Sequence, residues 1–207
     1  STANRMKQRH PVVFAGFLLT SVAFGQTFTL STGILSNQNA HSGGCVGIAD
    51  MDDDGYDDLI LLDQSQKLKI DYQGANGTFT SYSMGAASTA QQWGMAVGDV
   101  DNDGHKDFFS GGSNDGIHFL RMSARGTGAW SSLNNGSMFL QCANMADINN
   151  DGWLDAFGCH DNGAPRSWLN NGAGQLADND YINFATSPSS DMSGNYGSAC
   201  IEFDNDV

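Results

Sequence analysis

The sequence carries little positive charge and almost no glutamate. Its 207 residues include 9 Lys and Arg against 23 acidic residues, which gives a formal net charge of −14. Because there is no basic patch to neutralise phosphates, we expect neither nucleic acid nor an anionic membrane surface as a partner. Glu202 is the sole glutamate. Since Glu forms helices better than Asp, an acidic excess made of Asp indicates loops rather than helix surfaces.

Proline is scarce, and the motifs of the common catalytic sites are missing. The 3 prolines and 26 glycines favour short strands joined by tight turns. The sequence has no nucleophile elbow, phosphate-binding loop or zinc motif, and its 4 cysteines show no CxxC spacing. We therefore predict that the chain is not an enzyme, and we assign no catalytic residue.

A short apolar run near the N-terminus predicts export. The basic stretch 6–10 precedes the apolar run 12–23, and small residues stand at the −3 and −1 positions before Gln26. The run is shorter than the roughly 18–20 residues that span a bilayer. We therefore predict that residues 1–25 are upstream residues and a cleaved signal peptide. The mature protein should then be secreted or held at the cell surface, without insertion into a membrane.

Three Asp-rich segments repeat along the chain. They occupy residues 50–58, 99–107 and 147–155, called loops one, two and three below, and each reads D-x-[DN]-x-D-G-x-x-D. Their first residues are 49 and 48 positions apart. A fourth copy begins at Glu202 and stops at Val207, where the pattern requires Gly. A fixed period of this length predicts tandem copies of one structural unit.

Short apolar runs flank each loop on both sides, and two more follow before the next repeat. Such runs, bounded by turn residues, predict strands rather than helices. Four short antiparallel strands in each repeat are typical of a β-propeller blade. The predicted fold is all-β, an incomplete arc of about three and a half four-stranded antiparallel meanders within residues 26–207. The predicted blades span residues 44–91, 92–138 and 139–195, with a partial blade at 196–207.

Two cysteines lie on either side of loop three. Cys142 and Cys159 occupy nearly opposite positions of the predicted hairpin. Export would permit a disulfide bond between them. Small buried residues with free thiols are the alternative, and the sequence leaves both open.

The loops have the composition of a calcium site. Calcium takes six to eight oxygen ligands, and carboxylates at alternating positions of a tight loop can converge on one ion. Gly at position 6 permits the sharp turn, position 7 can donate its backbone carbonyl, and Asp at position 9 closes the shell. Without a cation, carboxylates this close would repel one another. The predicted calcium ligands, including those of the truncated fourth copy, are Asp50, Asp52, Asp54, Tyr56, Asp58, Asp99, Asp101, Asp103, His105, Asp107, Asp147, Asn149, Asp151, Trp153, Asp155, Glu202, Asp204 and Asp206.

The three loops differ in charge. Ligand charge is one main control on the calcium affinity of such loops. Loop one has the most carboxylates, loop two has Lys106 beside its ligands, and loop three replaces one carboxylate with Asn149. We therefore expect loop one to bind calcium most tightly and loop three most weakly.

Two stretches of the repeats resemble a known family. Residues 93–104, WGMAVGDVDNDG, and residues 168–174, WLNNGAG, are similar to FG-GAP/VCBS repeats, the blades of integrin-α-like propellers. The resemblance covers about residues 40–207. It implies a calcium-stiffened propeller, usually of seven blades, on exported adhesion, surface or carbohydrate-associated proteins. Three repeats and a fraction would then be a piece of a longer protein.

The function that this resemblance implies is a secreted calcium-binding module for an extracellular protein or carbohydrate, for example in adhesion. Two alternatives remain open. The chain could be a catalytic or non-catalytic part of a secreted polysaccharide-active enzyme. It could also be a spacer that binds calcium and nothing else.

Overall fold

The computed structural model describes residues 29–35, 45–63, 67–133, 136–179, 181–182 and 197–200. The chain divides into two units, Ser1–Ser31 and Thr32–Val207, and all of the described strands lie in the second. The 3-10 turn Thr32–Ile34 is the one helical segment among these residues. No helix in the described part of the chain is long and apolar enough to cross a membrane. The predicted signal peptide and the truncated fourth loop, with Glu202, Asp204 and Asp206, lie outside the described residues.

Each of the three repeats folds into one four-stranded antiparallel meander, in which strand order follows chain order. Sheet one consists of β1 (Val46–Ala49), β2 (Asp58–Leu62), β3 (Lys67–Gln73) and β4 (Phe79–Ala86). Sheet two consists of β5 (Gln92–Gly98), β6 (Asp107–Gly112), β7 (Ile117–Ala124) and β8 (Thr127–Ser132). Sheet three consists of β9 (Leu140–Ala146), β10 (Asp155–His160), β11 (Arg166–Asn170) and β12 (Leu176–Asn179). The prediction of an all-β fold made of blade-like meanders is confirmed.

Each Asp-rich loop joins the first strand of its sheet to the second. Loop one runs from the end of β1 to the start of β2, and loops two and three have the same place in sheets two and three. The strands that a loop joins pair with each other, for example Ala49 with Asp58. The loops therefore lie at equivalent ends of the three sheets.

Two apolar cores hold the sheets together. The first joins Ile70 and Tyr72 of sheet one to Phe108 of sheet two. The second joins Phe109 of sheet two to Trp168 of sheet three, with ring centroids 5.1 Å apart. Since successive residues of a strand point to opposite faces, the adjacent phenylalanines of β6 enter different cores. Every residue of β6 is buried, so this strand is covered on both faces.

Glycines let the first strands of neighbouring sheets come close together. A Cβ atom on Gly94 of β5 would lie 2.8 Å from Cγ of Leu140 in β9, and one on Gly98 would lie 2.9 Å from Sδ of Met145. Atoms in ordinary contact need about 3.5–4.0 Å. The absence of these side chains therefore sets the spacing between sheets two and three.

Cys142 and Cys159 lie directly opposite each other in the pairing of β9 with β10. Both are free thiols, as are Cys45 and Cys200. Of the two alternatives that the sequence left open, the structure therefore contains the free thiols.

Candidate metal site

The three loops share one backbone shape. Position 4 has a left-handed backbone angle, φ of 57–59°, and position 6 has φ of 87–88°. Gly adopts this conformation freely, and Asp and Asn tolerate it better than most residues with side chains. This preference explains why position 4 is always Asp or Asn here, a regularity that is visible in the sequence. The residues concerned are Asp53, Asn102 and Asn150 at position 4 and Gly55, Gly104 and Gly152 at position 6.

The Asp at position 1 holds the loop closed. Its two carboxylate oxygens accept hydrogen bonds from the backbone N–H groups of positions 5 and 6, at 2.7–3.1 Å in all three loops. The Asp at position 5 accepts a hydrogen bond from the N–H of position 7, at 2.8–3.0 Å. The chain itself makes these bonds, so they preorganise the loop. The position-7 residues are Tyr56, His105 and Trp153, and ligation by their carbonyl oxygens stays a prediction.

The Asp at position 9 ties each loop to the third strand of its sheet. Asp58 accepts hydrogen bonds from the backbone N–H groups of Met51 and Gln73, both at 2.8 Å. Asp107 and Asp155 make the equivalent bonds in loops two and three, at 2.8–3.0 Å. All three carboxylates are at most 1% exposed. The sequence predicted position 9 only as a ligand, because the bond to the third strand spans 15 residues and leaves no local pattern.

Loops one and two each bring three carboxylates together. In each loop, oxygen atoms of positions 1, 3 and 9 lie within 4.8 Å of one another. The groups are Asp50, Asp52 and Asp58 in loop one and Asp99, Asp101 and Asp107 in loop two. The position-5 ligands that the sequence predicted, Asp54 and Asp103, do not belong to these two groups.

The position-3 carboxylates each have an oxygen that no donor reaches. Oδ1 of Asp52 and Oδ1 of Asp101 are buried and accept no hydrogen bond from the described residues. A buried carboxylate oxygen without a partner is costly, and a cation would satisfy it. Both side chains belong to the converging groups, whose donors are the hard oxygens that calcium prefers. The residues present therefore fit a calcium ion.

Burial and mutual repulsion raise the pKa values of carboxyls in these groups. Burial raises the pKa of Asp107 to about 7, with the charges of Asp101 and Asp99 adding to the rise and two backbone hydrogen bonds opposing it. Burial also raises the pKa values of Asp58 and Asp101 above their usual range. Each shift means that the surroundings disfavour the charged form, and a bound cation reverses that preference.

Loop three differs from the other two at position 3. Asn149 stands where they have Asp, and its Nδ2 donates to Oδ2 of Asp151 at 2.9 Å. Within the described part of the chain, loop three does not bring three carboxylates as close together as loops one and two do. Its predicted ligands Asp147, Asn149, Asp151 and Asp155 therefore form a less negative site.

Basic side chains from sheet two reach the loops. Arg125, between β7 and β8, pairs with two carboxylates of loop one, and Arg121 of β7 lies 3.5 Å from Asp101. Lys106 belongs to loop two, but its Nζ donates to the backbone carbonyl of Asp50 in loop one at 2.6 Å. The Arg125 contacts span more than 70 residues of sequence, so no local pattern could have predicted them.

Two overlapping segments of the chain match a family described as FG-GAP-like repeat. The segments are residues 50–110 and 99–157, and together they cover more than half of the 207 residues. They begin at Asp50 and Asp99, the first positions of loops one and two. A search of curated proteins found no match to this chain.

Proposed function

The chain belongs to the FG-GAP-like repeat family, and on this basis we propose that it is a secreted, non-catalytic calcium-binding module for an extracellular protein or carbohydrate. One observation carries the calcium assignment. Loops one and two have the same converging carboxylates, and each contains a buried position-3 oxygen that accepts no hydrogen bond from the described residues. A polar turn that binds no metal would gain nothing from an unsatisfied buried oxygen at the same position in two loops.

Calcium suits these groups better than a transition metal. The converging donors are all carboxylate oxygens, whereas zinc and copper sites favour nitrogen and sulfur. A bound calcium ion would neutralise the clustered carboxylates of positions 1, 3 and 9. Loop closure by positions 1 and 5 already holds these side chains near one another, so little ordering remains to oppose binding.

The loops also link neighbouring sheets. The backbone N–H of Lys106 in loop two donates to the carbonyl of Met51 in loop one at 2.9 Å. Nδ2 of Asn170 in sheet three donates to the carbonyl of Val100 in loop two at 2.8 Å. In a repeat protein, stability is approximately the sum of the units and their interfaces. A cation that fixes loop two would therefore stabilise the contacts of this loop with both neighbouring sheets.

The extracellular binding role rests on the family and on the predicted signal peptide. The loops lie at equivalent ends of the sheets and expose part of their side chains, including Tyr56 at position 7. Exposed loops on a rigid scaffold are where binding residues usually lie. We propose that the partner contacts this loop end and that calcium fixes the loops for that contact.

Calorimetric titration with calcium, together with thermal melts, tests the metal assignment. Protein stripped with a chelator should release or absorb heat on calcium addition, and its melting temperature should rise. At 100 times the dissociation constant, one site adds about 2.7 kcal/mol to the free energy of unfolding. The double variant Asp52→Asn, Asp101→Asn should lose most of both effects, whereas Asp57→Asn, a change at an exposed loop carboxylate, should keep them.

Absence of calcium heat, with a melting temperature that the chelator does not change, would overturn the assignment. Binding of the wild-type protein to immobilised extracellular proteins and glycans, with and without chelator, tests the partner. If binding is calcium-independent and survives the double variant, the loop end is not the binding surface.

A further inference from the structure

Arg125 holds two carboxylates of loop one. Its Nε donates to Oδ2 of Asp52, and its Nη2 donates to Oδ2 of Asp54 at 2.6 Å. The Asp52 side chain is only 6% exposed, while those of Arg125 and Asp54 are about one third exposed. These are positions 3 and 5, both predicted calcium ligands. One guanidinium therefore bridges the acidic side chains that a cation in loop one would need.

The neighbouring sheet positions this arginine. The turn between β7 and β8 lies against two aromatic residues of sheet one, where the N–H of Gly126 donates to Oη of Tyr72 at 3.3 Å. A Cβ atom on Gly126 would lie 2.2 Å from Cδ1 of Tyr82. The guanidinium carbon of Arg125 lies 5.0 Å from the centre of the Tyr72 ring, within range for a cation–π contact. The arginine is thus held by the interface between sheets one and two.

Loop two has a different neighbour. The equivalent turn of sheet three, residues 171–175, contains no basic residue. It approaches loop two through Gly174, where a Cβ atom would lie 2.3 Å from Cβ of Asp101. Arg121 makes a single ion pair with Asp101, at 3.5 Å. Among the residues that the structure describes, loop two therefore has a weaker internal counter-charge beside its acidic group than loop one has.

We propose that Arg125 is an internal competitor of calcium at loop one, so that loop two fills first and the filling of loop one releases the β7–β8 turn. A guanidinium and a divalent cation are both positive and would share the carboxylates of Asp52 and Asp54, so their mutual repulsion opposes the binding of both at once. This inference rests on the proposed calcium function. It reverses the order of affinity that ligand charge alone predicts for loops one and two.

The competition can be measured on loop one alone. In the full chain carrying Asp101→Ala and Asp151→Ala, which each remove a predicted ligand from loops two and three, Arg125→Gln should tighten calcium binding. The expected gain is on the order of 2- to 30-fold, the range for removing two partly exposed ion pairs of ordinary strength. Arg166→Gln is the matched control, because it removes the same charge from an exposed pair with Asp178 in sheet three. Its calcium affinity should stay within twofold of the parent.

A second measurement, the melting temperature, separates the contribution of the arginine to stability from that of the metal. In chelator, Arg125→Gln should lower the melting temperature more than Arg166→Gln, because it removes two ion pairs and a ring contact between sheets. In saturating calcium, the difference between these two variants should disappear. Arg125→Lys keeps the charge but loses the planar fork, so it should fall between wild type and Arg125→Gln in both measurements.

The outcomes distinguish the two proposals. If no variant binds calcium, the calcium function fails and the competition with it. If wild type binds calcium through Asp101 but Arg125→Gln matches Arg166→Gln in both calcium affinity and melting temperature, the competition alone is wrong. Weaker calcium binding in Arg125→Gln would also overturn it, because the arginine would then support the site rather than oppose it.

Discussion

Replacing Asp58 with alanine should destabilise the protein even in the presence of a chelator. Asp58 and Asp57 are adjacent carboxylates with opposite surroundings, since the first is 1% exposed and the second is exposed. Asp58 accepts hydrogen bonds from the N–H groups of Met51 and Gln73. The alanine variant leaves both donors without this acceptor, whereas Asp57→Ala alters only a surface charge. Comparison of the two alanine variants therefore isolates the structural role of position 9.

The size of the destabilisation by Asp58→Ala follows from the two backbone N–H groups that lose their acceptor. A buried N–H left without an acceptor costs about 1–3 kcal/mol. The Met51 bond is buried, whereas the Gln73 bond is only partly buried and its N–H can regain water. We therefore expect a loss of about 2–4 kcal/mol in the free energy of unfolding. For a domain of this size that corresponds to roughly 4–16 °C in melting temperature, whereas Asp57→Ala should stay within about 0.5 kcal/mol of wild type.

Thermal and urea unfolding in chelator would measure the difference. Asp58→Asn should have an intermediate effect on stability. Its amide oxygen can still accept one of the two hydrogen bonds, while its NH2 group faces the other donor. Its melting temperature should lie between those of wild type and Asp58→Ala. If Asp58→Ala and Asp57→Ala melt within about 1 °C of each other in chelator, position 9 has no structural role and the reasoning is refuted.

Three further predictions concern other parts of the chain. N-terminal sequencing of exported protein should find the mature chain beginning near Gln26, and retention of the apolar run would remove the case for secretion. Gly126→Ala should destabilise the protein more than Gly55→Ala in chelator melts, because both have positive φ but only the first places a Cβ against a ring. Burial and the charge of Arg166 lower the pKa of His160, so the folded state binds fewer protons there than the unfolded chain. The contribution of His160 to stability should therefore fall as pH drops below about 6.5, so His160→Gln should lose less stability than wild type over this pH range in thermal melts.

The strands were predictable because their signal is local. Each apolar run is bounded by turn residues, and the repeat shows the same runs three times at the same distance from an Asp-rich loop. Phe108 and Phe109 form the apolar run that directly follows loop two, one of the runs that predict strands. That they enter two different cores depends on sheets one and three covering both faces of β6, which a single run of apolar letters does not reveal.

The candidate site was predictable in part. Carboxylate oxygens of positions 1, 3 and 9 lie close together in loops one and two, and their role as metal ligands stays a prediction. Position 5 was predicted as an equal ligand, but Asp54 is engaged by Arg125 from another sheet. Contacts of that kind depend on how sheets pack, so only the folded structure reveals them.

In loops one and two, the aspartates at positions 1 and 9 stabilise the loop, whereas the aspartate at position 3 has an oxygen that could bind a cation. Positions 1 and 9 accept two backbone hydrogen bonds each, so their negative charge is already partly satisfied by N–H dipoles. In loops one and two, position 3 has a buried oxygen that the described residues do not satisfy. In loop one, Arg125 of the next sheet pairs with the other oxygen of this carboxylate, and a calcium ion would satisfy the free one. The Asp52 carboxylate thus belongs to the candidate metal group and also contacts sheet two, so metal binding in loop one would be coupled to the interface between sheets one and two.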